Sequence, residues 1–400
     1  MAYRYDFTKR TNKSISSLPN LFNALDLNSN FLREFGNLPL TERYKEKIVK
    51  KSNGTDRKVY NPHQLIRAIQ RRINSRIFHP KHQKGGLITW PSYLFGAVPN
   101  NPASSADSNR DYISCAAVHC GAKSILKMDI SNFFDNIHES EVFKIFKDLL
   151  KFPEDVSAYL TDICCFNKNV VQGALTSSYI ASAVLFDVEP KLVRRLHEKG
   201  LRYTRLVDDI TISSIHSNYN FSYAKSIVVD MLHSKGLPAN EEKSVVLGTT
   251  SAEALVHGLR VCFPQPRLPS KEVARIRACV QHLEKFALNP SFRTSKSYRE
   301  LFDRALGRVN RLKQLGHNQH DNLLKRVNLI LPKPNNFDIQ KCIKLVNKLK
   351  ALHPKYGDGY RYKSLYYKAQ YELNILQRTF YLTAQSLRAQ LRVIKPGYEH

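Results

Sequence analysis

The chain has 400 residues, 42% of them hydrophobic, and carries 62 Lys and Arg against 34 Asp and Glu, a net charge of +28. That core content excludes a disordered chain, and the cation excess favours a polyanion partner. No run reaches the roughly 18 apolar residues that span a bilayer, the longest being Tyr179 to Val188, and the N-terminus has no apolar signal core, so nucleic acid in the cytoplasm is the expected setting.

Asn61-Pro62 reads as a helix start, with Asn as cap and Pro in the first turn. Leu65, Ile66, Ile69, Ile73 and Ile77 follow at helical spacing. Arg67, Gln70, Arg71 and Asn74 form the opposite face, which either meets phosphates or is simply solvated. His79 to Ser108 is rich in Gly, Pro, Asn and Ser and reads as loops. Ser124 to Ile130 is the first clear strand, Glu139 to Leu150 a helix, and Leu175 to Leu196 one long apolar helix. Thr204–Leu206 and Ile210–Ser213 flank Asp208-Asp209 as a hairpin. Phe221 to Lys235 is a helix that stops at Gly236. Short antiparallel strands among helices predict an α+β, palm-like domain.

The character changes after Pro264-Gln265-Pro266. Val273, Ile276, Val280, Leu283 and Phe286 recur at three and four, with Ser270 as a possible cap. Residues 261–400 hold 27 Lys and Arg against 9 Asp and Glu, a net +18. About a third of the chain therefore carries nearly two-thirds of the excess charge, as expected of a basic helical domain that grips a nucleic acid backbone. Within it, Tyr356, Tyr360, Tyr362, Tyr366, Tyr367 and Tyr371 interleave with Lys355, Arg361, Lys363 and Lys368. Rings that stack on unpaired bases and cations that meet phosphates suit single-stranded or looped RNA; the alternative is rings that pack the helix onto its neighbour.

Two acidic segments stand out against this basic background. Asp129 closes the apolar run of Lys127-Met-Asp-Ile-Ser-Asn-Phe-Phe134, and Asp208-Asp209 interrupts a β-type run. If their strands are neighbours, Asp129 and Asp208 can bridge two Mg²⁺ ions, with Asp209 a weaker or indirect ligand. The seven cysteines contain no C-x-x-C pair and read as reduced thiols. The H-x-x-H pairs His79/His82 and His317/His320 lack nearby Cys or acidic partners and are not read as metal sites.

Taken together these blocks resemble the reverse transcriptases, and among them the bacterial retron type. Lys127 to Phe134 looks like the first palm motif. Gln172-Gly173-Ala-Leu-Thr-Ser-Ser178 is similar to Gln-Gly-Ala-Pro-Thr-Ser-Pro, and Tyr203-Thr-Arg-Leu-Val-Asp208-Asp209 to Tyr-x-Arg-Tyr-Ala-Asp-Asp. Gly236 to Lys243 matches Gly-x-x-x-Asn-x-x-Lys. Cys115-Ala116-Ala117-Val118-His119 resembles the Asn-Ala-x-x-His element of retron enzymes, and Val256-His257-Gly258-Leu259 their Val-Thr-Gly-Leu element. The likeness covers about residues 55–265. The departures are Leu206-Val207 for Tyr-Ala, Ser178 for Pro, Cys115 for Asn and His257 for Thr; none removes a metal ligand.

The resemblance implies a right-hand polymerase. Residues 1–125 would be mainly fingers, 126–265 mainly palm (with part of 140–171 in the fingers) and 266–400 a helical, RNA-binding thumb, with no room for an RNase H domain. It implies that Phe134 lies beneath the incoming sugar and selects dNTPs. Gln172 and Gly173 would lie at the nascent base pair, Arg110 would clamp the triphosphate, and Lys243 would protonate pyrophosphate or be only a surface lysine. His119 is tied by resemblance to structure-specific RNA use, but as a residue it reads as a buried structural histidine. The implied activity is RNA-directed DNA synthesis from an RNA 2′-hydroxyl, giving a branched RNA–DNA hybrid (msDNA). That product would act in antiphage defence with an effector protein of the same locus. A group II intron-like, diversity-generating or abortive-infection reverse transcriptase, and a non-catalytic RNA-binding scaffold, stay open as alternatives.

Overall fold

The computed structural model describes residues 3–10, 15–50, 54–79, 86–100, 109–248, 254–357 and 359–397, and His82 of the first H-x-x-H pair lies outside them. Two units divide the chain, Met1–Arg267 and Leu268–His400.

The first unit begins with β1 (Thr8–Lys9), α1 (Leu18–Ala24), α2 (Ser29–Gly36), β2 (Tyr44–Lys50), β3 (Asp56–Pro62) and α3 (Gln64–Ile73). Next come β4 (Ile88–Thr89), β5 (Leu94–Phe95), α4 (Tyr112–Val118), β6 (Ser124–Ile130), α5 (Glu139–Lys144) and α6 (Glu154–Cys164). β7 (Cys165–Phe166), β8 (Asn169–Val170), α7 (Ser177–Ala183), α8 (Glu189–Glu198), β9 (Arg202–Leu206) and β10 (Asp209–Ser214) follow. α9 (Ser222–His233), β11 (Ala239–Gly248), β12 (Leu255–Val256) and β13 (Leu259–Arg260) complete it.

A five-stranded sheet of order β11-β6-β10-β9-β5 organises this unit. Its pairs are antiparallel except β5 with β9, which run parallel. Side chains alternate between faces. Leu126, Met128, Ile130, Tyr203, Ile210 and Ile212 point into the main hydrophobic core. Lys127, Asp129, Thr204, Leu206, Asp209, Thr211 and Ser213 therefore share the opposite face. The α+β palm-like expectation holds.

Several element expectations need correction. Asn61 and Pro62 do not open a helix; they end β3, paired with Lys45 and Tyr44, and His63 caps α3 by accepting from the Leu65 amide. Gln70 is not on an outward face but fully buried, where its amide donates to the Tyr44 hydroxyl and the Ile163 carbonyl. The segment from Leu175 to Leu196 is two helices, α7 and α8, separated by turns over 184–188. Pro190, in the first turn of α8, lacks the amide that a continuous helix would need.

The second unit is helical: α10 (Ser270–Ala287), α11 (Lys296–Gln314), α12 (His320–Leu329), α13 (Asn336–Tyr356), α14 (Tyr360–Leu376) and α15 (Tyr381–Val393). α10 starts at Ser270 itself, with Pro269 in the cap position and no side-chain cap. α13 opens on a capping box between Asn335 and Asp338. Val346, Leu349, Tyr362, Tyr366, Leu373 and Leu391 belong to the core of the last three helices. No helix among the described residues is long and apolar enough to cross a membrane.

Candidate active site

The site is built on the sheet face away from the main core. Asp129, near the end of β6, is the register partner of Asp209, the first residue of β10. Val207 and Asp208 form the two-residue turn between β9 and β10, and the Asp208 carbonyl accepts from the Ile130 amide at 3.2 Å. The three predicted carboxylate residues thus come together at one end of adjacent strands. Among the described residues no three His, Cys, Asp or Glu side chains form a ready-made metal cage.

Its electrostatics reflect like charges held together. Burial first, then the Asp129 carboxylate, raises the Asp208 carboxyl above the ordinary value. Burial, then Asp208 and Asp129, pushes Asp209 up to about 6. Asp129 has local partners: Asn240 Nδ2 donates to its Oδ2 at 3.2 Å, and Lys243 Nζ donates to the same oxygen at 2.8 Å. That bond to Asp129 is the main reason the Lys243 ammonium is raised. Oxygen-only carboxylate donors fit Mg²⁺, which keeps waters and takes substrate phosphate oxygens as further ligands.

The turn that carries Asp208 is strained. Val207 has φ +60°, a conformation that a β-branched residue rarely adopts. Arg205 holds it there. Its side chain is fully buried, and Nη1 donates to the Val207 and Ala181 carbonyls, each at 3.1 Å. Nε and Nη2 reach the two carboxylate oxygens of buried Glu189, both at 2.7 Å, and the Tyr203 hydroxyl donates to Glu189 Oε1 at 2.7 Å. Sequence reading missed Glu189 because an isolated Glu at a helix start reads as exposed; the buried arginine of the Tyr-x-Arg motif was the available signal.

Around the carboxylates the predicted residues divide. Phe134 is half-buried beside fully packed Phe133, the rings 6.0 Å apart. The Gln172 carbonyl accepts from the Tyr60 amide at 2.7 Å, which docks this segment on β3. Gly173 has φ +107°, and a Cβ there would stand 2.4 Å from the Tyr60 carbonyl oxygen. Glycine is required by contact with the β2–β3 hairpin as well as by its backbone conformation.

Arg110 does not meet the expectation of a triphosphate clamp. It is 3% exposed, and its Nη1 donates to the carbonyls of Pro91, Ser92 and Leu94 at 2.9, 2.9 and 3.0 Å. The guanidinium thus serves as a brace for these three carbonyls.

The two retron-type elements meet. Buried His119 contacts Ser213 Oγ through Nδ1 at 2.7 Å and Thr204 Oγ1 through Nε2 at 2.8 Å. Burial, aided by His257 and Arg202, lowers it to about 3 and keeps it neutral. Ala116 is fully buried in α4. Val256 is buried, and the His257-Gly258 turn between β12 and β13 has φ +49° and +75°. His257 stands 3.7 Å from Asp209 Oδ2. Burial lowers His257 to about 4 and raises Asp209, so this is a neutral imidazole beside a carboxylate rather than an ion pair.

The predicted RNA-binding residues of the second unit also divide. Tyr356, Tyr360 and Tyr367 are exposed, as are Arg361 and Lys368, and Lys363 is half-exposed. Tyr362 and Tyr366 are instead core residues, 1% and 6% exposed, and the Tyr362 hydroxyl donates to the Ile394 carbonyl. Helical spacing turns them inward onto α13 and α15, so stacking on bases is open only to the others. Arg275, His282, Arg304 and Arg308 line a groove between α10 and α11.

Residues 48–260 match the family described as reverse transcriptase (RNA-dependent DNA polymerase). The retron Ec48 reverse transcriptase of Escherichia coli is 42% identical over 96% of this chain and 92% of its own length. The retron Se72 reverse transcriptase of Salmonella heidelberg is 33% identical over 88% of this chain and 89% of its own. Among solved structures, Candida tropicalis telomerase with a fragment of telomeric RNA matches at 13% identity and a TM-score of 0.42, over 98% of this chain and 71% of that one.

Proposed function

The chain belongs to the bacterial retron reverse transcriptases and is an RNA-directed DNA polymerase, and on that footing we propose that it copies a structured noncoding RNA into branched, RNA-linked single-stranded DNA (msDNA). The observation that carries the reading is the register pairing of Asp129 with Asp209, beside the Asp208 turn.

Asp129 and Asp208 would hold two Mg²⁺ ions, with Asp209 as a weaker or indirect ligand. When bound, the metal ions supply the charge that activates the attacking hydroxyl and stabilises pyrophosphate. The remaining steps fall to the protein. Arg205, anchored on Glu189, fixes the turn that aims Asp208. The Lys243 ammonium, held at Asp129, stands ready to stabilise or protonate pyrophosphate. Half-buried Phe134 would lie beneath the incoming sugar, where its ring would clash with a 2′-hydroxyl and select dNTPs. Gln172 and Gly173, docked on β3, complete the floor against the nascent pair.

In this reading the N-terminal segment and the β2–β3 hairpin serve as fingers, the five-stranded sheet as palm and the second unit as thumb. The exposed Tyr356, Tyr360 and Tyr367 stack on unpaired bases of the RNA. Arg361, Lys363 and Lys368, with the arginines of the α10–α11 groove, meet its phosphates. The hybrid and enzyme together would restrain an effector protein in antiphage defence.

The test is to purify the protein from cells that carry its flanking locus and to sequence the bound nucleic acid. DNA joined to RNA through a 2′-branch, removed by a debranching enzyme, is the expected finding. Bound RNA without linked DNA would defeat the msDNA reading.

A further inference from the structure

Two of the places where the sequence departs from the retron pattern, Cys115 for Asn and His257 for Thr, lie 142 residues apart in the chain and touch. Cys115 Sγ is 3.3 Å from His257 Nε2. The other ring nitrogen of His257 faces Asp209 Oδ2 at 3.7 Å. Behind them the chain of contacts continues inward: Cys115 Sγ donates to Thr204 Oγ1 at 3.3 Å, Thr204 meets His119 at 2.8 Å and His119 meets Ser213 at 2.7 Å. A polar network therefore crosses the buried side of the catalytic face, from β10 through β9 and α4 to the β12–β13 turn, and ends at a catalytic carboxylate.

We infer that Cys115 and His257 form a matched pair that positions the Asp209 carboxylate, so that His257 is a positioning residue for metal binding at the Asp pair. Three observations carry this. First, His257 bridges the two residues, with Nε2 3.3 Å from Cys115 Sγ and Nδ1 3.7 Å from Asp209 Oδ2. Second, the ring is held rigidly, with its side chain 8% exposed on a tight turn, whereas the Asp209 side chain is 50% exposed. The mobile partner is thus the carboxylate, and a rotation of Asp209 would close the remaining distance. Third, Cys115 is fully buried and its sulfur packs against the ring nitrogen at 3.3 Å, which holds the imidazole from the side away from Asp209. Groups that orient a ligating carboxylate affect metal affinity about as strongly as weaker ligands do.

The inference rests on the reading that Asp129, Asp208 and Asp209 bind metal, and the experiment separates the two. Mn²⁺ binding is measured by electron paramagnetic resonance on the full chain with bound primer–template, alongside dNTP incorporation and thermal unfolding. His257→Asn is the first variant, because Asn tolerates φ +49° while its shorter side chain cannot span Cys115 and Asp209. The expected result is Mn²⁺ affinity and kcat lower by about tenfold, with the KM for primer–template and the unfolding midpoint unchanged. Asp208→Asn serves as the metal-site control. If it weakens Mn²⁺ binding and His257→Asn does not, the positioning role is overturned. If neither does, the metal-site reading falls and this inference with it. Cys115→Asn, His257→Thr and the double variant then close a cycle in which the backbone cost of Thr at a positive φ cancels. The double variant is expected to bind Mn²⁺ no more weakly than His257→Thr alone, because Cys115 acts through the ring; losses that simply add overturn the pairing.

Discussion

Asp129 and Asp209 are register partners on adjacent antiparallel strands, so their side chains stand on the same face of the sheet with like charges opposed. Such opposition is destabilising in a structural sheet, and cations bound at the proposed metal site would offset it.

The Arg205–Glu189 pair is fully buried and bidentate, and it also carries the Asp208 turn. Glu189→Ala leaves a buried guanidinium without its counter-charge. The expected cost is about 3–5 kcal/mol, read by chemical denaturation. Glu189→Gln, which keeps one acceptor, should lose less stability yet still lower polymerisation, because the turn at Val207 loosens.

Gly173→Ala places a methyl against the Tyr60 carbonyl at a backbone conformation unsuited to alanine. A loss of about 1–3 kcal/mol or more is expected, together with weaker dNTP incorporation, since the β2–β3 hairpin must shift. Steady-state kinetics and unfolding on the same preparation check both parts.

His119 is buried and held neutral, its value lowered from 6.5 to about 3. The unfolded chain binds the proton first as pH falls. This histidine's contribution is therefore complete above about pH 6.5 and is lost progressively between there and pH 3, by an amount of order a few kcal/mol. His119→Gln should show a flatter loss of stability over that window. Equal slopes for parent and variant in pH-dependent denaturation would contradict the assignment.

Phe134→Ala should relax sugar selection. Incorporation of ribonucleotides relative to deoxyribonucleotides is expected to rise roughly 10–100-fold, measured by competitive single-nucleotide extension.

Tyr367→Ala and Tyr360→Ala remove exposed rings and should weaken binding of looped RNA by about 1–3 kcal/mol per lost stack. Tyr362→Ala removes a core ring and should lower stability instead. Filter binding and thermal unfolding distinguish the two classes.

Much of the site was legible because the chemistry constrains it locally. Bare carboxylates among apolar strands in a basic chain announce Asp129, Asp208 and Asp209, and alternation assigns them to a sheet. The failures share a different cause. Arg110, Tyr362 and Tyr366 were read for the chemistry of their side chains, and burial decided otherwise. A guanidinium can serve backbone carbonyls as well as phosphates, and a helix must turn some rings inward. Pro62 and Pro190 mark breaks that a local cap or an apolar run conceals. Glu189, Cys115 and His257 were beyond reach as a group. Their roles come from long-range contacts, and nothing in a linear pattern places residue 257 beside residue 115.

The most direct test is primer extension on an RNA template by the parent and by Asp129→Asn, Asp208→Asn and Asp209→Asn variants, with unfolding midpoints and RNA affinity measured alongside. A fall of about 10³-fold or more for Asp129→Asn and Asp208→Asn, a smaller fall for Asp209→Asn, and unchanged folding and RNA binding are predicted. DNA synthesis that survives in the Asp129 or Asp208 variant would contradict the account.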